Sequence, residues 1–251
     1  MKSVIIMYRI FFLTVLLGHV LGDFYFQTNS ISAKKETSLK WVFIHSLLYF
    51  FAVALICFLF SYVYGKGFLI IAPVVSAGHM AVDIIKYFFL KRLTSPSVRA
   101  KIFFADQFLH IAIIAVCVYY FAVDWQFDVP PITGFLETAD ISPFAFLFWP
   151  LALLLIHKPS NIAISSILAV FRPENHSREN DKNAGRLIGT LERIIMLIFL
   201  SLGQYSALGL VLTAKSIARY DKITKDPDFA EYYLLGTLMS VIVTFPVSLL
   251  V

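Results

Sequence analysis

Charge is scarce in this chain. Lys, Arg, Asp and Glu together make up 15% of its 251 residues, against 59% hydrophobic residues. Ordinary soluble domains carry charge at roughly a quarter of their positions. With a mean hydropathy of +0.79 and 25 Phe, the composition therefore excludes a soluble globular protein and fits a polytopic membrane protein. Cysteine is nearly absent. Cys57 and Cys117 both lie in apolar runs with no partner at metal-ligand spacing, which excludes a disulfide framework or a zinc knuckle. There is no P-loop, no dinucleotide glycine pattern, no Gly-x-Ser-x-Gly and no His-Glu-x-x-His. The net charge of +5 is spread through the loops, so it reads as membrane-orienting charge. Lipids are then the expected partner, and nucleic acid is not.

The chain does have long apolar runs. About 20 apolar residues cross a bilayer as helix, and the candidates are 8–27, 41–64, 67–90, 102–123, 142–157, 184–203, 205–219 and 231–250. Lys2 before an apolar run resembles a signal peptide, but Arg9 interrupts the run and no small-x-small cleavage site follows, so a retained first span is expected. The sixth and seventh runs are nearly continuous, and a turn near Gly203-Gln204 would make them a tight hairpin. The fold class is thus all-α, a bundle of about eight transmembrane helices.

Four regions follow. A four-helix core occupies 1–123, an external acidic loop with the fifth span 124–157, a cytoplasmic interfacial linker 158–186, and a C-terminal hairpin with the last span 187–251. In the linker, Pro159-Ser160-Asn161 reads as a turn and 162–171 as a short interfacial helix. Basic residues give the sidedness, because cytoplasmic loops are enriched in them. Lys34, Lys35 and Lys40 follow the first span; Lys91, Arg92, Arg99 and Lys101 follow the third. The loop after the fourth is acidic, with Asp124, Asp128, Glu137 and Asp140. Eight spans with both termini outside satisfy this alternation.

Within the apolar runs sit side chains that hydrocarbon does not tolerate unpaired. They are His19, Asp23 and Gln27; His45; His79, Asp83 and Lys86; and Asp106, Gln107 and His110. The assigned sidedness puts all four sets in the cytoplasmic half of the membrane. Residues three and four apart share a helix face, so His19/Asp23/Gln27, His79/Asp83/Lys86 and Asp106/His110 each form one stripe. Gly18-His19-x-x-x-Asp23 recurs 60 positions on as Gly78-His79-x-x-x-Asp83, which predicts two similar hairpins facing each other.

Three chemistries fit these stripes. Imidazole with carboxylate is the ligand set of hydrolytic zinc, manganese and iron sites. On this reading His19, Asp23, His45, His79, Asp83 and His110 hold a divalent metal ion. Asp23, Asp83, Asp106 and Lys86 then serve catalysis on a polar lipid or amphiphile, and Gln27, Gln107, Glu192, Arg193 and Lys215 bind substrate. A second reading is proton- or ion-coupled transport, in which the Asp and His residues titrate along a pathway. A third is a structural polar network. Glu192 and Arg193 are also candidates for a self-neutralising pair.

The same residues carry a resemblance. Gly18-His19-x-x-x-Asp23-Phe24-x-x-Gln27, the lone His45, Gly78-His79-x-x-x-Asp83-x-x-Lys86 and Asp106-Gln107-x-x-His110 resemble a bacterial membrane family known as domain of unknown function 3307. Further on, Lys158-Pro159-Ser160-Asn161, Leu191-Glu192-Arg193, Gly203-Gln204-Tyr205 and Ala214-Lys215-Ser216 are similar to its longer members. The resemblance implies a multi-pass protein of the bacterial inner membrane and brings no activity with it.

Overall fold

A computed structural model of the chain describes residues 2–64, 68–91, 95–122, 136, 138–171 and 182–249. Lys66, Arg92, most of the acidic loop including Asp124, Asp128 and Glu137, and the polar stretch 172–181 lie outside the described residues. The rest is helical, with no strand among the described residues. The helices are α1 (Lys2–Val20), continued without a break by a π-helical turn (Leu21–Phe26), α2 (Asn29–Lys35), α3 (Leu39–Tyr64), α4 (Phe68–Leu90) and α5 (Pro96–Ala122). After them come α6 (Pro143–Leu168), α7 (Lys182–Ser201), α8 (Tyr205–Ile217), α9 (Tyr220–Lys225) and α10 (Pro227–Ser248).

Among the described residues, six stretches are long and apolar enough to cross a membrane: Tyr8–Phe26, Leu39–Ser61, Leu69–Leu90, Pro96–Phe121, Phe144–Leu168 and Pro227–Ser248. The protein is therefore an all-α, multi-pass membrane bundle. The two expected spans missing from this set are α7 and α8. Charged Lys182, Arg186, Glu192 and Arg193 interrupt α7. At 13 residues, α8 is about 20 Å long against a hydrocarbon core of about 30 Å. The turn between them lies where expected. Gly203 has φ +67°, Gln204 N donates to Phe199 O and Gly203 N to Leu200 O, a Schellman closure that favours glycine at this position.

The chain divides within α6 into two compact units, Met1–Leu151 and Ala152–Val251. In the first unit α1 packs on α3 and α5, and α4 packs on the same two helices. This closes a four-helix bundle with α1 and α4 diagonally opposed. Its polarity is inverted relative to a water-soluble bundle. On α5, Phe108 and Leu109 are exposed while Asp106 and His110 between the helices are buried. A bilayer solvates the outward apolar groups, so ionisable ones can only face inward.

Small residues let the helices close. A Cβ on Gly18 would lie 2.9 Å from Val53 Cα, and one on Gly78 would lie 2.8 Å from Ile113 Cγ2. Both the glycines and their partners are 60 positions apart. The repeat seen in the sequence is thus a repeat of packing: α1 on α3, and α4 on α5.

In the second unit the expected turn at Pro159-Ser160-Asn161 is absent, and α6 continues through it to Leu168. Pro159 lacks the N–H that would bond Leu155 O. The Ser160 hydroxyl donates to that carbonyl instead, at 2.7 Å. Beside it, Arg193 Nε donates to Ile156 O at 2.9 Å. Sequence reasoning took the proline as a break, but neighbouring polar groups repair the opened ladder and the helix survives.

Candidate functional site

The buried polar set of the first unit lies toward the end of the bundle that carries α2. His19 and Asp23 come from α1 and its π-helical turn, His45 from α3, His79, Asp83 and Lys86 from α4, and Asp106, Gln107 and His110 from α5. His19, Asp23, His45, His79, Asp83, Asp106 and His110 are all buried. The wider π turn re-aims the helix at Asp23. Gln27 caps that turn in an extended conformation and is half-buried.

Each carboxylate is held differently. Asp83 accepts two hydrogen bonds from Lys35 Nζ, at 3.0 and 2.9 Å. Asp106 Oδ2 accepts from Lys86 Nζ at 2.6 Å. Asp23 Oδ2 accepts from Gln107 Nε2 at 2.8 Å, which also lies 3.2 Å from Asp106 Oδ2. Lys86 lies one helical turn beyond Asp83 on α4. It pairs with Asp106, and Asp83 takes Lys35.

The histidines surround Asp23. His45 Nε2 is 3.2 Å from Asp23 Oδ1 and 3.4 Å from Asp83 Oδ2. His79 Nε2 is 3.6 Å from Asp23 Oδ1, and its Nδ1 is 3.8 Å from Asp83 Oδ2. The His79 ring is stacked between Tyr49 at 3.7 Å and His110 at 4.1 Å, which fixes its plane. His19 faces the Tyr49 hydroxyl at 3.2 Å and Gln107 Oε1 at 3.4 Å. Both ring nitrogens of His45, His79 and His110 are buried without a hydrogen-bond partner, as is Asp106 Oδ1.

Such orphaned groups are rare in native proteins and point to an ion or ordered water. Three sets have ligand atoms within 4.8 Å of one another: Asp23, His45 and His79; Asp23, Asp106 and His110; and His19, His79 and His110. The buried His/Asp cluster could hold a metal ion. The separations of His45 Nε2 from Asp23 Oδ1 and Asp83 Oδ2, 3.2 and 3.4 Å, match the edges of a coordination shell, since ligands about 2.1 Å from one ion lie about 3.0–3.4 Å apart. They are too poorly aligned for hydrogen bonds.

Lys35 and Tyr49 were missed by sequence reasoning. Lys35 counted there as loop charge, yet the residue is only 8% exposed. A faint trace was available for it: α2 opens on an N-cap, Thr28, whose hydroxyl accepts from Ile31 N, so a short helix could turn its last residue inward. Tyr49 carries no such mark among the 12 Tyr of the chain.

Glu192, Arg193 and Lys215 belong to the second unit. Glu192 does not pair with Arg193. It accepts from Lys215 Nζ at 2.6 Å, and Lys215 also lies over the Tyr233 ring. Arg193, 2% exposed, donates to Ile156 O, Asn161 Oδ1 and Thr190 Oγ1.

A four-helix membrane bundle enclosing a buried His/Asp cluster is the class that this fold and site define. Residues 11–135 match the family described as protein of unknown function (DUF3307), and that part of the chain is a domain of this family. The match takes in every residue of the cluster. No curated protein and no solved structure matches the chain.

Proposed function

We propose that this is a multi-pass protein of the bacterial inner membrane whose first unit binds a divalent metal ion and uses it to hydrolyse a polar lipid or related amphiphile. The observation that carries this reading is an array of four buried imidazole nitrogens, on His45, His79 and His110, that lie 3.2–3.9 Å from carboxylate oxygens without a hydrogen bond. Asp23, His45 and His79 are the ligands. His79 turns its second nitrogen toward Asp83, the carboxylate–histidine–metal arrangement that orients a ligand ring, and Lys35 fixes that carboxylate. The ion would lower the pKa of a water or polarise an ester oxygen. Asp106, held by Lys86, would then move the proton. Gln27 and Gln107, in the same unit as the cluster, are proposed to bind substrate. Membrane lipids are the proposed partners, and nucleic acid is not.

Elemental analysis of protein purified in mild detergent tests this. Near-stoichiometric transition metal is expected, falling sharply in Asp23→Asn and His45→Ala. Folded wild type without metal would sink the reading.

One observation favours a second reading, proton-coupled transport. Lys35, Asp83, His45, Asp23, Gln107, Asp106 and Lys86 follow one another at no more than 3.4 Å, a continuous relay of titratable and amide groups. It expects pH-driven flux in proteoliposomes that is lost in Asp23→Asn, with no retained metal.

A further inference from the structure

We propose that the cluster is a two-ion centre in which the Asp23 carboxylate bridges two divalent cations, one completed by His45 and His79 and the other by Asp106 and His110. This rests on the metal reading above and goes beyond it in the number of ions and in the role of Asp106, which becomes a ligand in place of a proton carrier.

The two ligand sets share Asp23 and nothing else. The shared residue divides itself between them. Asp23 Oδ1 faces His45 Nε2 and His79 Nε2 at 3.2 and 3.6 Å. Its Oδ2 points to the Asp106 side, where the Gln107 amide nitrogen lies within hydrogen-bond distance of both Asp23 Oδ2 and Asp106 Oδ2. An N–H₂ group between two carboxylate oxygens marks a place where positive charge is favoured. A carboxylate with one oxygen turned to each ligand set is the geometry that holds two ions about 3.5–4 Å apart.

The second set has orphans of its own. His110 is 2% exposed with neither ring nitrogen satisfied, and Asp106 Oδ1 is likewise unpartnered. His110 Nε2 and Asp106 Oδ1 lie 3.9 Å apart. Lys86 occupies only the other oxygen, Oδ2. One ion among Asp23, His45 and His79 would leave this second group as unsatisfied as before. A buried imidazole and a buried carboxylate oxygen left facing each other are costly, and a second cation answers both.

Charge orders the two sites. Three carboxylates (Asp23, Asp83, Asp106) against two ammonium groups (Lys35, Lys86) leave one negative charge with the histidines neutral. The first divalent ion reverses this to one positive charge, so the second ion binds more weakly.

Titration of the full chain in detergent with Mn²⁺, reading free ion by electron paramagnetic resonance, tests the proposal without any variant. Two ions per chain are expected, a tighter and a weaker, with a spin-coupled spectrum when both are bound. His110→Gln and Asp106→Asn should each keep one ion, and His45→Ala should keep the other. A wild type that saturates at one ion, or binds two that are not spin-coupled, overturns the two-ion centre and leaves the metal reading standing. A folded wild type that binds none overturns both.

Discussion

Lys35 separates what a residue's position says from what its side chain does. By position it belongs to a basic loop, but its long stem carries the ammonium group inward to both oxygens of Asp83. Its neighbour Lys34 stays outside, over the Trp41 ring. Removing one partner of a buried ion pair strands the other, at a cost of about 3–5 kcal/mol, whereas an exposed cation–π contact is worth about 0.5–1 kcal/mol. Lys35→Met should therefore lower the thermal stability of the detergent-solubilised protein far more than Lys34→Met. Adding Asp83→Asn should restore much of the loss, and strictly additive effects would show that the pair is not an energetic unit. The candidate site was legible wherever an ionisable group sat inside an apolar run, because hydrocarbon makes each such group conspicuous. It was not legible at Lys35, which lies outside the run, nor at Tyr49, an aromatic in a chain where aromatics are common.

At the scale of the element, the same rule that marks polar residues as inward also marks glycine. Gly18 meets the backbone of Val53, which cannot retreat, whereas Gly78 meets the Cγ2 methyl of Ile113, which a shift of that side chain alone can move. Overpacking of this kind costs about 1–3 kcal/mol. Gly18→Ala should fall at the upper end of that range and Gly78→Ala at the lower, in melts of the purified protein. Gly185, with open space around it, should accept Ala without loss. Equal effects at Gly18 and Gly78 would contradict the packing described.

Local propensity failed at α6 for a physical reason. Pro159 opens a helical ladder, and a sequence window cannot see that Ser160 and a distant arginine will fill it. Arg193→Met removes the donor to Ile156 O and leaves Asn161 Oδ1 without its shortest contact. Unsatisfied buried acceptors cost about 1–3 kcal/mol each, so this variant should melt several degrees lower. A melt unchanged from wild type would mean that water replaces the guanidinium.

For the whole molecule, hydropathy found the helices, and six of the expected spans are long and apolar enough to cross. It did not separate out α7, which Arg186, Glu192 and Arg193 interrupt, or α8, whose 13 residues fall short of a crossing. Which end of the first unit faces the cytoplasm was argued from loop charge alone. Contacts within that unit sharpen the argument. Glu36, at the end of α2, meets Arg99, at the start of α5, at 3.0 Å, so the two basic connections lie at one end of the bundle beside the His/Asp cluster. Arg9 and Phe60 instead approach Phe144 and Phe146 at the start of α6, which places Asp140 toward the opposite end. Single cysteines in a background lacking Cys57 and Cys117 should therefore divide cleanly. At Lys40 and Ser95 they should react with an impermeant maleimide only from the cytoplasmic side, and at Asp140 only from outside. If Ser95 is labelled from outside, the cluster lies in the external half of the membrane and the sidedness read from loop charge is lost. If Lys40 and Ser95 are labelled from different sides, the Glu36–Arg99 contact and the bundle that brings the cluster together fail with it.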